Sequence, residues 1–219
     1  MADLIGVPKD SFIRSIRQDL GKIKSDLNGG HDPLHEDIKS LEGRVEEVQT
    51  RLCRNQTVLI EKLAKEASLG GWKVHRPSGS ADAQDYIRHL VEKASVKMVL
   101  RSDQDVFGTL PVDDILLGLG VEVMVMTHGL GSAEQSKPAS ADLGITGVDY
   151  AIAETGTAVL LPRRGVSRLV SLLPPLHLVL VRPSEIVETL DDLYLLRRLA
   201  YYQNQGEMGS YMNFITGPS

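Results

Sequence analysis

Four stretches of the chain gather residue types able to bind or act on a small anion. Asp142 to Asp149 combines two carboxylates, the Thr146 hydroxyl and the turn-permitting Gly144 and Gly147. Glu154-Thr155-Gly156-Thr157 sets a carboxylate and two hydroxyls around a glycine that lets a ligand come close to backbone. Glu154 is the acid/base candidate there. Arg163 to Arg168 holds three guanidinium groups, a set suited to gripping a carboxylate or phosphate with paired hydrogen bonds. Gly217-Pro218-Ser219 follows an apolar run and offers backbone N–H groups to an anion. Three of these stretches also have a plain reading. These are a tight strand–turn–strand link at Gly156, a solvated loop with one paired Arg, and a frayed end at Ser219.

Other candidates are more isolated. His177 opens an apolar strand after Pro174-Pro175, where a hydrogen-bonded core imidazole and a catalytic base are both readings. His31 and His35 share a helical spacing, but Asp32-Pro33 reads as a helix cap. His128 precedes Gly129-Leu130-Gly131, which lacks the third glycine of a dinucleotide fingerprint. No P-loop, Cys-x-x-Cys pair or Gly-x-Ser-x-Gly elbow is present. Cys53 is the only thiol, so an internal disulfide is excluded, and an iron–sulfur cluster held by this chain is not expected.

The elements that must position these groups follow from periodicity. Apolar residues from Phe12 to Leu27 recur at helical spacing, and Asn28-Gly29-Gly30 stops that helix. A second helix starts at Asp32-Pro33. It carries a heptad seam through Ile38, Leu41, Val45, Val48 and Leu52, and runs on to Leu69 before Gly70-Gly71. Residues 1–71 thus read as a helical hairpin arm, whose seam offers a surface for a homo-oligomer or for assembly. Residues 72–219 read as an α/β domain. Expected strands are Trp72–His75, Val96–Leu100, Val121–Met126, Val148–Ala153, Ala158–Leu161, Leu176–Val181 and Tyr211–Thr216. Helices are expected over Asp82–Ala94, over Asp113–Gly118 and from Ser184 to about Gln203, with a mobile loop from Thr127 to Asp142. Strands apolar on both faces point to a sheet covered by helices.

Composition sets the outer limits. A net charge of -5 supplies no broad basic field for nucleic acid. No apolar run approaches the roughly 20 residues of a membrane span. The amino-terminal MADLIGVPKDSF lacks the pattern of a signal peptide, so a soluble, cytoplasmic protein is expected.

The stretch Asp142 to Leu161, DLGITGVDYAIAETGTAVLL, resembles the lactate-utilisation protein C family, the LUD domain. Gly165 to Leu169, Leu173 to His177 and the ending NFITGPS agree with it, and the likeness runs from Lys73 to Ser219. The resemblance implies a three-layer α/β fold similar to the sugar-phosphate isomerase and CoA-transferase superfamily. It implies a role in oxidising L-lactate to pyruvate beside Cys-rich partner proteins that carry the iron–sulfur clusters. Family positions matched here include Asp142, Thr146, Asp149, Glu154, Thr155, Gly156, Thr157, Arg168, His177, Gly217 and Ser219. In the family the Gly-Pro-Ser is followed by a further helix and strand, so the carboxyl-terminal end is expected to be truncated.

Three functions stay open at this level. One is a non-cluster subunit of a lactate-oxidising system, handling substrate or assembly. Another is an enzyme acting on a phosphosugar or CoA thioester, with Glu154 as acid/base and Arg168 holding the anion. The third is a ligand-free interaction module.

Overall fold

The computed structural model describes residues 37–126, 140–204, 209 and 211–218. The expected helix over residues 12–27, the Asp32-Pro33 cap with His31 and His35, and most of the 127–142 loop lie outside them. The chain divides into two units, Met1–Arg44 and Val45–Ser219. Only 37–44 of the first are described, and they open helix α1, Ile38–Arg54.

The helix expected to run unbroken to Leu69 is interrupted at Asn55, whose φ of -97° and ψ of 11° leave the helical region. Asn competes locally with helix hydrogen bonding, which favours a break at that residue. Helix α2, Gln56–Leu69, then presents Leu59 and Leu63 to Ala151, Ala158 and Ile186. It ends at Gly70-Gly71, Gly71 taking φ +95°. Trp72 to His75 forms no strand. Its backbone finds no sheet partner, and the Trp72 indole donates to the Thr216 carbonyl at 2.9 Å. Helix α3, Ser80–Ala94, buries Ile87 and Val91 and half-buries Tyr86 and Leu90.

A parallel sheet forms the first core. Strand β1, Met98–Arg101, leads through the short helices α4, Val106–Thr109, and α5, Val112–Gly118, into β2, Glu122–Val125. Strand β3 is Leu143–Thr146, α6 is Leu169–Leu172 and β6 is Leu176–Val179. The order is β2-β1-β3-β6, with every pair parallel. Central β3 is buried along its whole length, whereas β2 and β6 each begin exposed.

Strand β3 falls where the sequence suggests a turn-rich stretch. Gly144 is not there for a turn. A Cβ on it would overlap the Val170 carbonyl oxygen of α6, so the missing side chain lets helix and strand backbones meet.

The second sheet is mixed. Strands β4, Tyr150–Ile152, and β5, Thr157–Leu160, form an antiparallel hairpin. Strand β7, Ile186–Val187, joins β4 in parallel, and β8, Asn213–Ile215, joins β5 antiparallel, giving β7-β4-β5-β8. The helix expected from Ser184 starts later, as α7, Leu190–Gln203. Pro183–Glu185 makes a single 3₁₀ turn and the β-branched Ile186-Val187 pair in the sheet. Thr189 caps α7 instead. Its hydroxyl accepts from the Asp192 amide at 3.1 Å, and the Asp192 carboxylate accepts from the Thr189 amide at 3.2 Å.

Asp142 fastens the entry to the parallel sheet. One carboxylate oxygen accepts from the Lys97 amide at 2.8 Å and the Met98 amide at 3.0 Å. These two donors hold its carboxyl below the ordinary carboxylate range. A carboxyl depressed on folding adds stability above its unfolded value and loses it as pH falls through the folded one. Asp142→Ala is therefore expected to lower stability at neutral pH by about 1–2 kcal/mol. In urea titrations the gap to the parent chain should close as pH falls from about 5 towards 2. A gap that stays constant with pH would reject this role for the carboxylate.

Candidate functional site

The turn between β4 and β5 carries the acid/base candidate. Gly156 takes φ +66°, and a Cβ on it would overlap the Ala67 amide nitrogen and lie 2.5 Å from the Ala67 Cα. The turn therefore seats directly on the backbone of α2. Glu154 is exposed, and its Oε1 accepts from the Leu190 amide at 2.8 Å, at the first residue of α7. A carboxylate there meets the positive end of the helix dipole. Asp192 of the same turn accepts from Arg51, and Glu188 pairs with Arg51 at 3.7 Å and Lys62 at 3.8 Å.

Hydroxyls continue from this turn to the end of β8. Thr155 and Thr157 share a hydrogen bond of 2.7 Å, and Thr157 and Thr216 one of 3.0 Å. Gly217 approaches the Gly70 carbonyl so closely that a Cβ would overlap it, and the Pro218 ring lies beside Gly71. Gly217 thus packs backbone to backbone against the end of α2. Ser219 lies outside the described residues.

Asp149 grips the start of the following loop. Its Oδ2 accepts from the Leu161 amide at 2.6 Å, and its Oδ1 from Arg163 Nη1 at 2.7 Å. Arg168 lies elsewhere, its guanidinium 5.6 Å from the centre of the Tyr211 ring. The guanidinium groups of Arg163 and Arg168 therefore serve separate contacts. A buried acid that sequence reasoning missed, Glu185, accepts from the Arg182 amide and guanidinium at 2.7 and 2.8 Å. Burial pushes its carboxyl up, and the nearby Asp149 charge adds to that, against the pull of Arg182.

Thr146 and His177 meet across β3 and β6. Thr146 Oγ1 lies 2.9 Å from His177 Nε2, and Thr146 is fully buried. Burial lowers the imidazole to about 4, so it is neutral at pH 7. His177 lines a cleft of about 700 Å³ at the outer edge of β6. Apolar residues of α2 and the second sheet, among them Ile60, Leu63, Ala151 and Ile186, form much of its wall. The segment Trp72 to Ser78 forms another part of the wall, including Lys73, His75 and Arg76. The Trp72 and His177 ring centres are 6.4 Å apart.

Of the candidates from the sequence, Gly156 and His177 line this cleft. Asp142, Thr146, Asp149, Glu154, Thr155, Thr157, Arg168 and Gly217 are not among its lining residues. Open α/β sheets commonly bind ligands where the strand order reverses, here between the carboxyl ends of β1 and β3. Local side chains occupy that point. Arg101 binds Asp113 through two bonds of 2.6 Å, and Ser102 donates to Gln104 at 2.6 Å. Lys73, His75 and Arg76 escaped sequence reasoning because they match no spacing motif. The available signal was a lone Trp followed closely by Lys73, His75 and Arg76. Among the described residues, no three His, Cys, Asp or Glu side chains are grouped to hold a metal ion.

Comparison with known proteins places these features in context. Residues 60–219 match the LUD domain. That match begins inside α2, consistent with α2 packing on the second sheet. The chain is 34% identical to Lactate utilization protein C of Halalkalibacterium halodurans, over 61% of this chain and 56% of that protein. It is 23% identical to Lactate utilization protein B of Bacillus subtilis, over 79% of this chain and 47% of that one. The chain thus spans about half the length of the curated relatives it matches. A crystal structure of a DUF162 family protein from Deinococcus radiodurans aligns at a TM-score of 0.34 and 22% identity, over 65% of this chain and 91% of the other.

Two outcomes test this geometry. Gly156→Ala places a Cβ against α2 at positive φ, and is expected to cost about 2 kcal/mol or more in denaturant unfolding. A loss below about 0.5 kcal/mol would show that the turn does not seat on the helix. His177 has a folded value of about 4, below the unfolded value near 6.5. Between those values the unfolded chain takes up a proton that the folded imidazole refuses, so stability falls as pH drops through that window. Thermal melts at pH 7 and about pH 5 should therefore show His177→Gln losing less than the parent chain. Equal losses would rule out a depressed imidazole.

Proposed function

Because the chain belongs to the LUD domain family, we propose that it acts in L-lactate utilisation, as a non-cluster subunit of an iron–sulfur-dependent system oxidising lactate to pyruvate. The observation carrying this reading is the family match over residues 60–219, together with relatives named lactate utilization proteins B and C. Cys-rich iron–sulfur proteins are its companions, and it works with them in the cytoplasm. The parallel sheet and its covering helices suit the sugar-phosphate isomerase and CoA-transferase plan.

Chemistry supports the division of labour. Passing electrons from lactate needs a metal cluster or an organic redox group, and one exposed thiol, Cys53, supplies a single cluster ligand. The reading as a self-sufficient enzyme asked Glu154 and Arg168 to converge on an anion. Glu154 instead bonds the start of α7, and Arg168 lies over Tyr211. These engagements favour a subunit that handles substrate or assembly.

Co-expression of the tagged full chain with the Cys-rich lactate-utilisation proteins tests the proposal. The expected result is a complex that contains iron and reduces a dye with lactate, while the chain purified alone contains none. Iron or flavin in the chain alone, or dye reduction unaffected by leaving it out, would overturn the reading.

A further inference from the structure

We propose that the cleft beside β6 binds an amphiphilic carboxylate, with its apolar chain on the floor formed by α2 and the second sheet and its carboxylate at Lys73 and Arg76. This goes beyond the function proposed above and does not depend on it. Size is the first argument. A space of about 700 Å³ suits a ligand well above the size of a three-carbon hydroxy acid. Lactate would leave the wall around Ile60, Leu63 and Ile186 facing water. Polarity is the second, because that wall rewards an apolar body.

The third argument is charge. Lys73 and Arg76 form no hydrogen bond or ion pair among the described residues. Other described cations, such as Lys65 and Lys93, are also unpaired, but Lys73 and Arg76 line the cleft. Lys73 and Arg76 sit on a segment fixed at both ends. Trp72 is tied to Thr216. At the other end, the Ser78 amide donates to Asp82 at 2.7 Å, His75 bonds Asp82 at 3.0 Å, and the His75 ring stacks on Tyr86 at 4.3 Å. Little ordering of this strap remains to oppose binding. His177 uses Nε2 on Thr146 and contributes its ring to the cleft wall.

Trp72 is the chain's only tryptophan and lines the cleft, so its emission reports occupancy. The full chain alone is titrated with octanoate, 1-octanol, octyltrimethylammonium and L-lactate. Octanoate is expected to give a saturable change, with an apparent Kd about tenfold or more below those of the two other octyl compounds. Lactate should give no change over the same range. The exposed double substitution Lys73→Ala with Arg76→Ala should bring octanoate to the level of octanol. Equal responses to all three octyl compounds, no saturation by octanoate, or retention of the preference in the double variant would overturn the proposal. So would an emission that follows protein concentration alone, which would assign the cleft to a second copy of the chain. Because no iron–sulfur partner takes part, failure here leaves the lactate reading to its own test.

Discussion

Everything around the second sheet depends on main chain meeting main chain at the end of α2. At Gly156 the hairpin turn rests on the Glu66 and Ala67 backbone, and at Gly217 the end of β8 rests on Gly70. Such approaches are open only where no Cβ intervenes. They bring the hairpin, the last strand and the helix within one backbone layer of each other. The Trp72–Thr216 bond then sets the direction in which the chain leaves. The strap over the cleft begins from that fixed point and is held at its far end by the bonds of His75 and Ser78 to Asp82.

The polar groups near these contacts mostly hold backbone. Asp142 binds two amides at the entry to β1, Asp149 binds the amide that follows β5, and Glu154 binds the amide that opens α7. Each satisfies donors that would otherwise be left at the end of a strand or helix. A carboxylate committed in this way positions elements with a charge-assisted bond. The cleft has the opposite character, with an apolar wall, the neutral His177 imidazole and, in Lys73 and Arg76, cations that have no partner among the described residues.

Much of the fold was legible because it rests on apolar periodicity. Helix α3, strands β1 and β2, the β4–β5 hairpin and the Gly70-Gly71 stop all follow from runs and breaks that local sequence displays. Strand β3 was not legible, because the reason for Gly144 lies 26 positions away at the Val170 carbonyl. Helix α7 starts after Thr189 and not at Ser184 because Thr189 is followed at the third position by an acid that returns the bond, a pairing absent after Ser184. For the site, sequence identified chemically capable residues but not their targets. Asp and Glu beside glycine look alike whether they grip an amide or a ligand. Lys73 and Arg76 became visible only once Trp72 to His75 failed to pair as a strand.

The seat of Gly156 has an asymmetry that bears on how such chains can diverge. On the helix side the atoms nearest the turn are the Ala67 amide nitrogen and Cα and the Glu66 carbonyl carbon, which every residue type carries. On the turn side a single methyl group is already too much. The joint therefore sets no requirement on the side chain at position 66, while position 156 stays closed to any; Ala67 is buried and answers to its own packing. Drift in one partner calls for no compensating drift in the other, so this contact would leave no trace of paired variation between relatives.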